Sequence, residues 1–301
     1  MKGWKEKGTI GRVKRREGMT AYLFSTPAII LLIMFIAVPV VIAICYSLMD
    51  YNTLRPEAQS FIGISNYINL MNDSEFWNAF KNTVYFTVIV VPLQCGLALA
   101  LALLVSKKTR GVSIFRIAFF APTVTSMVVI AILWQIILNS SSAQGWFNAI
   151  LTNLGFEAIP FLTSKATAMN SIIMMSAWQG AGYQMMIFLA GIQGISNDLY
   201  EAADMDGANV IQKFRYITMP GLKNVSKYVV LITSIQAMRL FTQPYIMTQG
   251  GPQDSTKTLV YYIYNEAFRS RKFGYACAAA VIYFVIIVIL SLALKKLLKS
   301  D

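Results

Sequence analysis

The chain has 301 residues, of which 56% are hydrophobic and only 13% charged, with a formal net charge of +12. A soluble domain carries roughly a quarter charged residues, and the apolar residues here fall in runs too long for a globular core, so a soluble globular protein is excluded. Histidine is absent from the sequence, which removes the commonest general base and metal ligand and argues against a hydrolytic or metal-dependent centre.

Residues 1–20 form a basic tail containing Lys2, Lys5, Lys7, Arg12, Lys14, Arg15 and Arg16. The apolar run behind it exceeds a signal-peptide core and lacks a clear small-residue exit, so it reads as an uncleaved anchor. Attraction to anionic lipid accounts for the tail more simply than nucleic acid does.

Six segments have the roughly twenty apolar residues needed to cross a bilayer as a helix. They run from about Tyr22 to Leu48, Thr83 to Val105, Ile117 to Leu138, Met169 to Ile192, Tyr228 to Met247 and Tyr275 to Leu294. Pro39, Pro92 and Pro122 lie within spans and are expected to kink them. Cys45, Cys95 and Cys277 fall inside apolar segments without metal-type spacing and read as small packing residues.

Eighteen basic residues lie in the tail, around Lys107 to Arg116, from Lys213 to Lys227 and after Lys295, against seven in the alternate loops. The excess of positive charge marks the cytoplasmic side. Both termini and the loop carrying Glu201 are therefore expected inside the cell. The outer segments Phe61–Tyr67, Phe76–Thr83 and Trp146–Leu162 read as interfacial.

The loop between the fourth and fifth spans predicts a short helix capped by Asn197 or Asp198, with Glu201 in its first turn, where the helix dipole favours negative charge. Gly207 is expected to end it in a conformation other residues resist. A second helix is expected over 208–216, stopped by Pro220.

Glu201-Ala202-Ala203, three residues, Gly207, nine residues, then Ile217-Thr218-Met219-Pro220 resembles the coupling-loop signature of membrane subunits of binding-protein-dependent ABC importers. Met219 stands where leucine is usual. Ile195–Glu201 and Asp206-Gly207-Ala208 resemble that family's carbohydrate branch, the maltose-transporter type. The resemblance implies that Glu201, Ala202, Ala203, Asp206, Gly207, Ile217 and Pro220 form a knob seated in a cytoplasmic ATPase. The chain contains no Gly-x4-Gly-Lys-(Ser/Thr) phosphate loop. ATP and Mg are thus expected to be used by a partner ATPase, with no cofactor or metal bound by this chain.

The fifth span carries Thr233, Gln236, Arg239 and Gln243. At about 100° per residue, these share one face about 120° wide. An ionisable group within a span usually faces a bundle interior or an aqueous cavity, although Arg239 could equally pair structurally or reach outward. In the resembled family this span lines the substrate cavity, and Thr248-x-Gly250-Gly251-Pro252 anchors its register. Counting back from Glu201 puts Gln179 and Gly180 at similar depth, with Thr125 a weaker candidate.

The reading is thus an all-α polytopic membrane protein with six transmembrane helices and a cytoplasmic helix-turn-helix coupling loop at about 195–222, within a permease domain over 21–301. By resemblance it is a permease subunit of a bacterial plasma-membrane importer. Its expected partners are a second homologous permease, an ABC ATPase dimer, an extracellular solute-binding protein, and membrane lipid. The expected cargo is a sugar, an oligosaccharide foremost; a polyol or glycerol-phosphate-type solute is the alternative, which Arg239 would suit if anionic. A membrane-embedded sugar transferase or an ion-coupled transporter needs intramembrane carboxylates, and the six spans hold no Asp or Glu.

Overall fold

The computed structural model describes residue 22 and residues 24–55, 57, 59–106, 111–141 and 145–298. The basic tail, Lys107, Lys108, Arg110 and Lys299 lie outside the described residues. Three described helices are individually long and apolar enough to cross a membrane: α1 (Phe24–Ser47), α3 (Ser74–Ser106) and the last, Phe273–Lys296 within Phe273–Leu298. The remaining expected crossings take other forms.

The first span contains a π turn at Ile33–Ala37, immediately before Pro39. Proline has no N–H to return to the preceding turn, and a widened turn accommodates the gap in the ladder. A two-residue antiparallel pair, Met49–Asp50 with Ser60–Phe61, then closes the loop after α1. This pair replaces part of the interfacial helix expected at Phe61–Tyr67; the helix there, α2, is Ser65–Met71. Pro92 sits inside α3, which is assigned as one helix of 33 residues.

The third expected span is not a single helix. α4 (Val112–Val124) and α5 (Met127–Ile137) meet at an angle of 100°. Thr125 and Ser126 are both extended, with ψ of 144° and 129°. A bend exposes the last carbonyls of α4, which need new donors. The Thr125 hydroxyl donates to the Ala121 carbonyl at 3.1 Å and Gln179 Nε2 to the Pro122 carbonyl at 3.4 Å.

After α6 (Trp146–Asn153), α7 (Ala168–Gln193) is long enough for a crossing, though its polar residues keep it outside the purely apolar set. The fifth expected span is also broken: α10 (Lys223–Met238) ends at Arg239, and α11 (Thr242–Met247) restarts three residues later. Between α7 and α10 lie α8 (Asn197–Met205) and α9 (Val210–Lys213). α12 (Leu259–Tyr264) and α13 (Phe273–Leu298) complete the chain.

The main core forms where α3 runs along α7, with α10 packed on α3 and α4 on α7. Ala98, Ala102, Ala177 and Ala181 are buried there among Val90, Ile172 and Met185. Small residues let helices approach closely when the surroundings are apolar and burial alone gives no preference. Gly182 shows the effect: a Cβ there would lie 2.2 Å from the Phe119 carbonyl oxygen of α4. A second cluster, around Phe76, Leu259, Tyr262 and Ala278, joins the start of α3 to α12 and α13. The apolar face of α1 is exposed in the isolated chain, as expected of a surface that meets lipid or another subunit. Cys45 is exposed on it, while Cys95 and Cys277 are buried.

Candidate substrate cavity and coupling loop

The breaks in the helices create a cavity. Arg239 and Leu240 leave the helical path, and the hydroxyl of buried Thr258 donates to the Leu240 carbonyl at 2.7 Å. Thr258 is itself held by the loop before α12. Asn82 Nδ2 donates to the carbonyls of Asp254 (2.8 Å) and Lys257 (3.0 Å), and the Leu259 N–H donates to the Thr83 hydroxyl at 2.9 Å. Thr248 and Thr256 share a hydroxyl–hydroxyl bond of 2.6 Å across the Gly250-Gly251-Pro252 turn. This loop therefore pins the α10–α11 break against the N-terminal part of α3.

The resulting cavity, about 240 Å³, lies among α3, α5, α7, α10 and α11. Gln179, Gly180, Thr233, Gln236, Arg239 and Gln243 all line it, although α10 and α11 are not one continuous helix. Thr125 lies outside it, at the α4–α5 bend. Gln94 and Ser176 join the lining, and neither was picked out from the sequence. The signal for Gln94 was available: it is an amide within the apolar run of α3, the same kind of polarity that distinguishes α10.

The wall is built closely. A Cβ at position 180 would lie 2.3 Å from Gln94 Nε2, so a larger residue there would displace that amide. Thr233 is buried and accepts from Gln184 Nε2 at 3.0 Å and, more weakly, from Cys95 Sγ at 3.8 Å. The Ser176 hydroxyl is buried without a hydrogen-bond partner among the described residues. Amides, hydroxyls and one guanidinium suit a hydroxyl-rich solute, because each sugar hydroxyl both donates and accepts. A second cavity, about 370 Å³, lies at the other ends of α5 and α11, where Gln135, Asn139, Thr163 and Thr248 line it.

The hairpin between α7 and α10 is built by capping. Ser196 is the cap of α8, its hydroxyl accepting from the Asp198 N–H at 3.2 Å; the expected cap, Asn197 or Asp198, already lies within the helix. At the other end the Gly207 N–H donates to the Asp204 carbonyl (3.1 Å) and the Ala208 N–H to the Ala203 carbonyl (2.8 Å). That pair of bonds needs the intervening residue in the left-handed region, where Gly207 sits at φ +75°. Asn209 and Gln212 then form a reciprocal capping box for α9.

Pro220 does not stop the second helix as expected. α9 widens into a π turn at Phe214–Thr218, and Pro220 falls within the next helical turn, Met219–Gly221, near a start where its missing N–H costs little. The hairpin is closed by the Lys213–Asp204 ion pair and by a 2.8 Å bond between the hydroxyls of Tyr200 and Thr218. Glu201, Ala202, Asp206 and Gly207 are exposed and Ala203 is half-buried. Met205, Val210 and Ile211 add an exposed apolar rim.

At the start of α3, Asp73 accepts at Oδ2 from the hydroxyls of Tyr262 (2.5 Å) and Tyr275 (2.9 Å), and at Oδ1 from the Glu75 N–H (2.8 Å). Burial pushes its carboxyl upward, but these donors outweigh it and hold the group below the usual carboxylate value. Lys257 is likewise resisted by burial, yet Asp254 and Glu75 beside it raise its pKa.

A helical, polytopic chain with a polar cavity between broken helices and a capped, exposed hairpin has the architecture of a transport subunit rather than an enzyme. Residues 93–300 match the family described as "Binding-protein-dependent transport system inner membrane component", and the chain belongs to that family. It is therefore an integral membrane permease subunit of an ABC importer. It is 39% identical over 284 residues to the probable ABC transporter permease protein YurN of Bacillus subtilis, covering 93% of this chain and 96% of YurN. It is 32% identical to the arabinooligosaccharides transport system permease protein AraP of the same organism, covering 92% and 87%. Its fold matches a chain of a bacterial ABC transporter involved in the import of the acidic polysaccharide alginate. That match has a TM-score of 0.82 at 22% identity, over 97% of this chain and 98% of the other.

Proposed function

We propose that the chain supplies one half of an ATP-driven import pathway for a sugar, an oligosaccharide foremost. The observation that carries this reading is the convergence of Gln94, Gln179, Thr233, Gln236 and Gln243 on one cavity between helices that are broken at that level. Breaks in helices at membrane depth are tolerated where the backbone lines a cavity. The likeness to AraP over nearly the whole chain supports the sugar class.

In this reading the chain makes six crossings, with α4–α5 and α10–α11 each counting as one broken crossing, and both termini face the cytoplasm. The hairpin at about 195–222 seats on one subunit of an ATPase dimer that binds ATP and Mg. Exposed Glu201, Ala202, Asp206 and Gly207, with the apolar rim, form the contact. Ile217 and Pro220 lie at the hairpin's base. A second homologous permease completes the pathway, and an extracellular solute-binding protein delivers the sugar.

ATP-driven closure of the ATPases would draw the two hairpins together and rock the helices from inward-open to outward-open. Uptake of labelled oligosaccharide into vesicles, with and without the ATPase subunit, tests this. Uptake only with the ATPase is expected; uptake that persists without any ATPase overturns the reading.

A further inference from the structure

We propose that the cavity selects a saccharide bearing a negative charge, a carboxylate or phosphate on a sugar ring, with Arg239 as its counter-ion. This rests on the sugar-import reading and narrows its substrate class. Arg239 lines the cavity, and no lining residue is acidic. The three ion pairs among the described residues belong to Lys213 and Lys257, and Arg239 takes part in none of them. Its guanidinium also makes no hydrogen bond among the described residues.

An ionisable group within a span usually faces a bundle interior or an aqueous cavity, and Arg239, exposed in the isolated chain, lines one. The groups around it, the amides of Gln94, Gln179, Gln236 and Gln243, are neutral. They can bind hydroxyls but cannot neutralise charge. A guanidinium offers a planar fork of donors that matches two oxygens of one anionic group, and such charge-assisted bonds are about twice as strong as neutral ones. The unpartnered hydroxyl of Ser176, buried in the same wall, is a further polar group awaiting a ligand. Neutral sugars would satisfy the amides and leave the guanidinium unanswered. An acidic sugar would satisfy both.

The test is equilibrium binding to the purified complete permease–ATPase complex without the solute-binding protein, so that selection by that protein does not enter. Three probes are compared: a galacturonate oligomer, the matching neutral galactose oligomer, and a sugar phosphate. The galacturonate or the phosphate should bind about tenfold tighter than the neutral probe, and which of the two does so identifies the anion. The advantage should shrink at high salt, vanish in Arg239→Gln and largely survive in Arg239→Lys, with each variant still co-purifying with its partners. Equal binding of charged and neutral probes overturns the inference, and neutral uptake persisting alongside would leave the import reading intact. Loss of both in the same proportion in Arg239→Gln assigns the arginine a structural role and also overturns it. Absence of saccharide binding together with absence of uptake defeats the import reading itself.

Discussion

The hydroxyl of Thr258 donates to the Leu240 carbonyl at 2.7 Å, tying the loop before α12 to the helix break beside Arg239. Thr258 and Leu240 are both buried, so removing the donor strands a carbonyl away from water. Thr258→Val keeps the volume and loses the bond. It should cost about 1–3 kcal/mol, read as a lowered midpoint in thermal unfolding of the purified subunit, and Thr258→Ser should recover most of it. A valine variant as stable as the parent would show that the break holds without this tie.

Gly207 makes a second separable prediction. A Cβ there meets nothing within 4 Å, so space is not the constraint; φ of +75° is. Gly207→Ala should cost about 1 kcal/mol through the left-handed backbone alone, loosening the hairpin without disturbing the spans. Hydrogen exchange over 197–218 should accelerate while exchange in α3 and α7 is unchanged. In the assembled importer, Gly207→Asp should insert normally yet hydrolyse ATP with little uptake. Unaltered uptake would reject the coupling role.

These two sites differ in how far the sequence disclosed them. Gly207 was legible because its geometry is local: the two bonds that close α8 run between residues no more than five apart. Existence of the long helices was legible for the same reason, since apolar length is written in consecutive residues. The bends were not. Pro122 warned of a distortion, but the 100° turn falls at Thr125–Ser126, where Gln179 from α7 takes up a freed carbonyl. In the break after Met238, the Leu240 carbonyl is likewise bonded by Thr258, eighteen residues further on. Helical periodicity grouped Thr233, Gln236, Arg239 and Gln243, and they do line one cavity, though by a break that periodicity does not contain. Gln94 and Ser176 join them only through packing of α3 on α7.

The corner around Asp73 should respond to acid. Asp73 titrates below an ordinary carboxylate because Tyr262, Tyr275 and the N–H groups of Glu75 and Phe76 favour its charged form despite burial. A depressed folded pKa contributes stability that is present above the unfolded value, about 3.9 for aspartate. That contribution is lost as pH falls through the lower, folded value. Between neutrality and pH 5 the corner should therefore be insensitive to Asp73. Below about pH 4 the parent should lose stability more steeply than Asp73→Asn, which carries no titrating carboxyl there. Thermal unfolding of both proteins across this range tests the difference, and parallel curves would contradict it.

The buried pair formed by Gln184 and Thr233 offers the sharpest test of polarity inside the bundle. Gln184 Nε2 donates to the Thr233 hydroxyl at 3.0 Å, while Gln184 Oε1 is buried without a partner among the described residues. Thr233→Val leaves the whole amide unanswered, at a cost of about 1–3 kcal/mol. Gln184→Leu removes the amide instead and should cost less, because the Thr233 hydroxyl still has Cys95 Sγ at 3.8 Å. With both changes the bundle keeps its volume and loses both polar groups, so the double variant should be more stable than Thr233→Val alone. The unfolding midpoints of the four proteins form a closed cycle whose coupling term should be about 1 kcal/mol or more. Strict additivity would mean that the two side chains do not interact in the folded protein. Since Thr233 also lines the cavity, its variants should weaken saccharide binding, whereas Gln184→Leu should do so only through Thr233 and hence not at all in the Thr233→Val background.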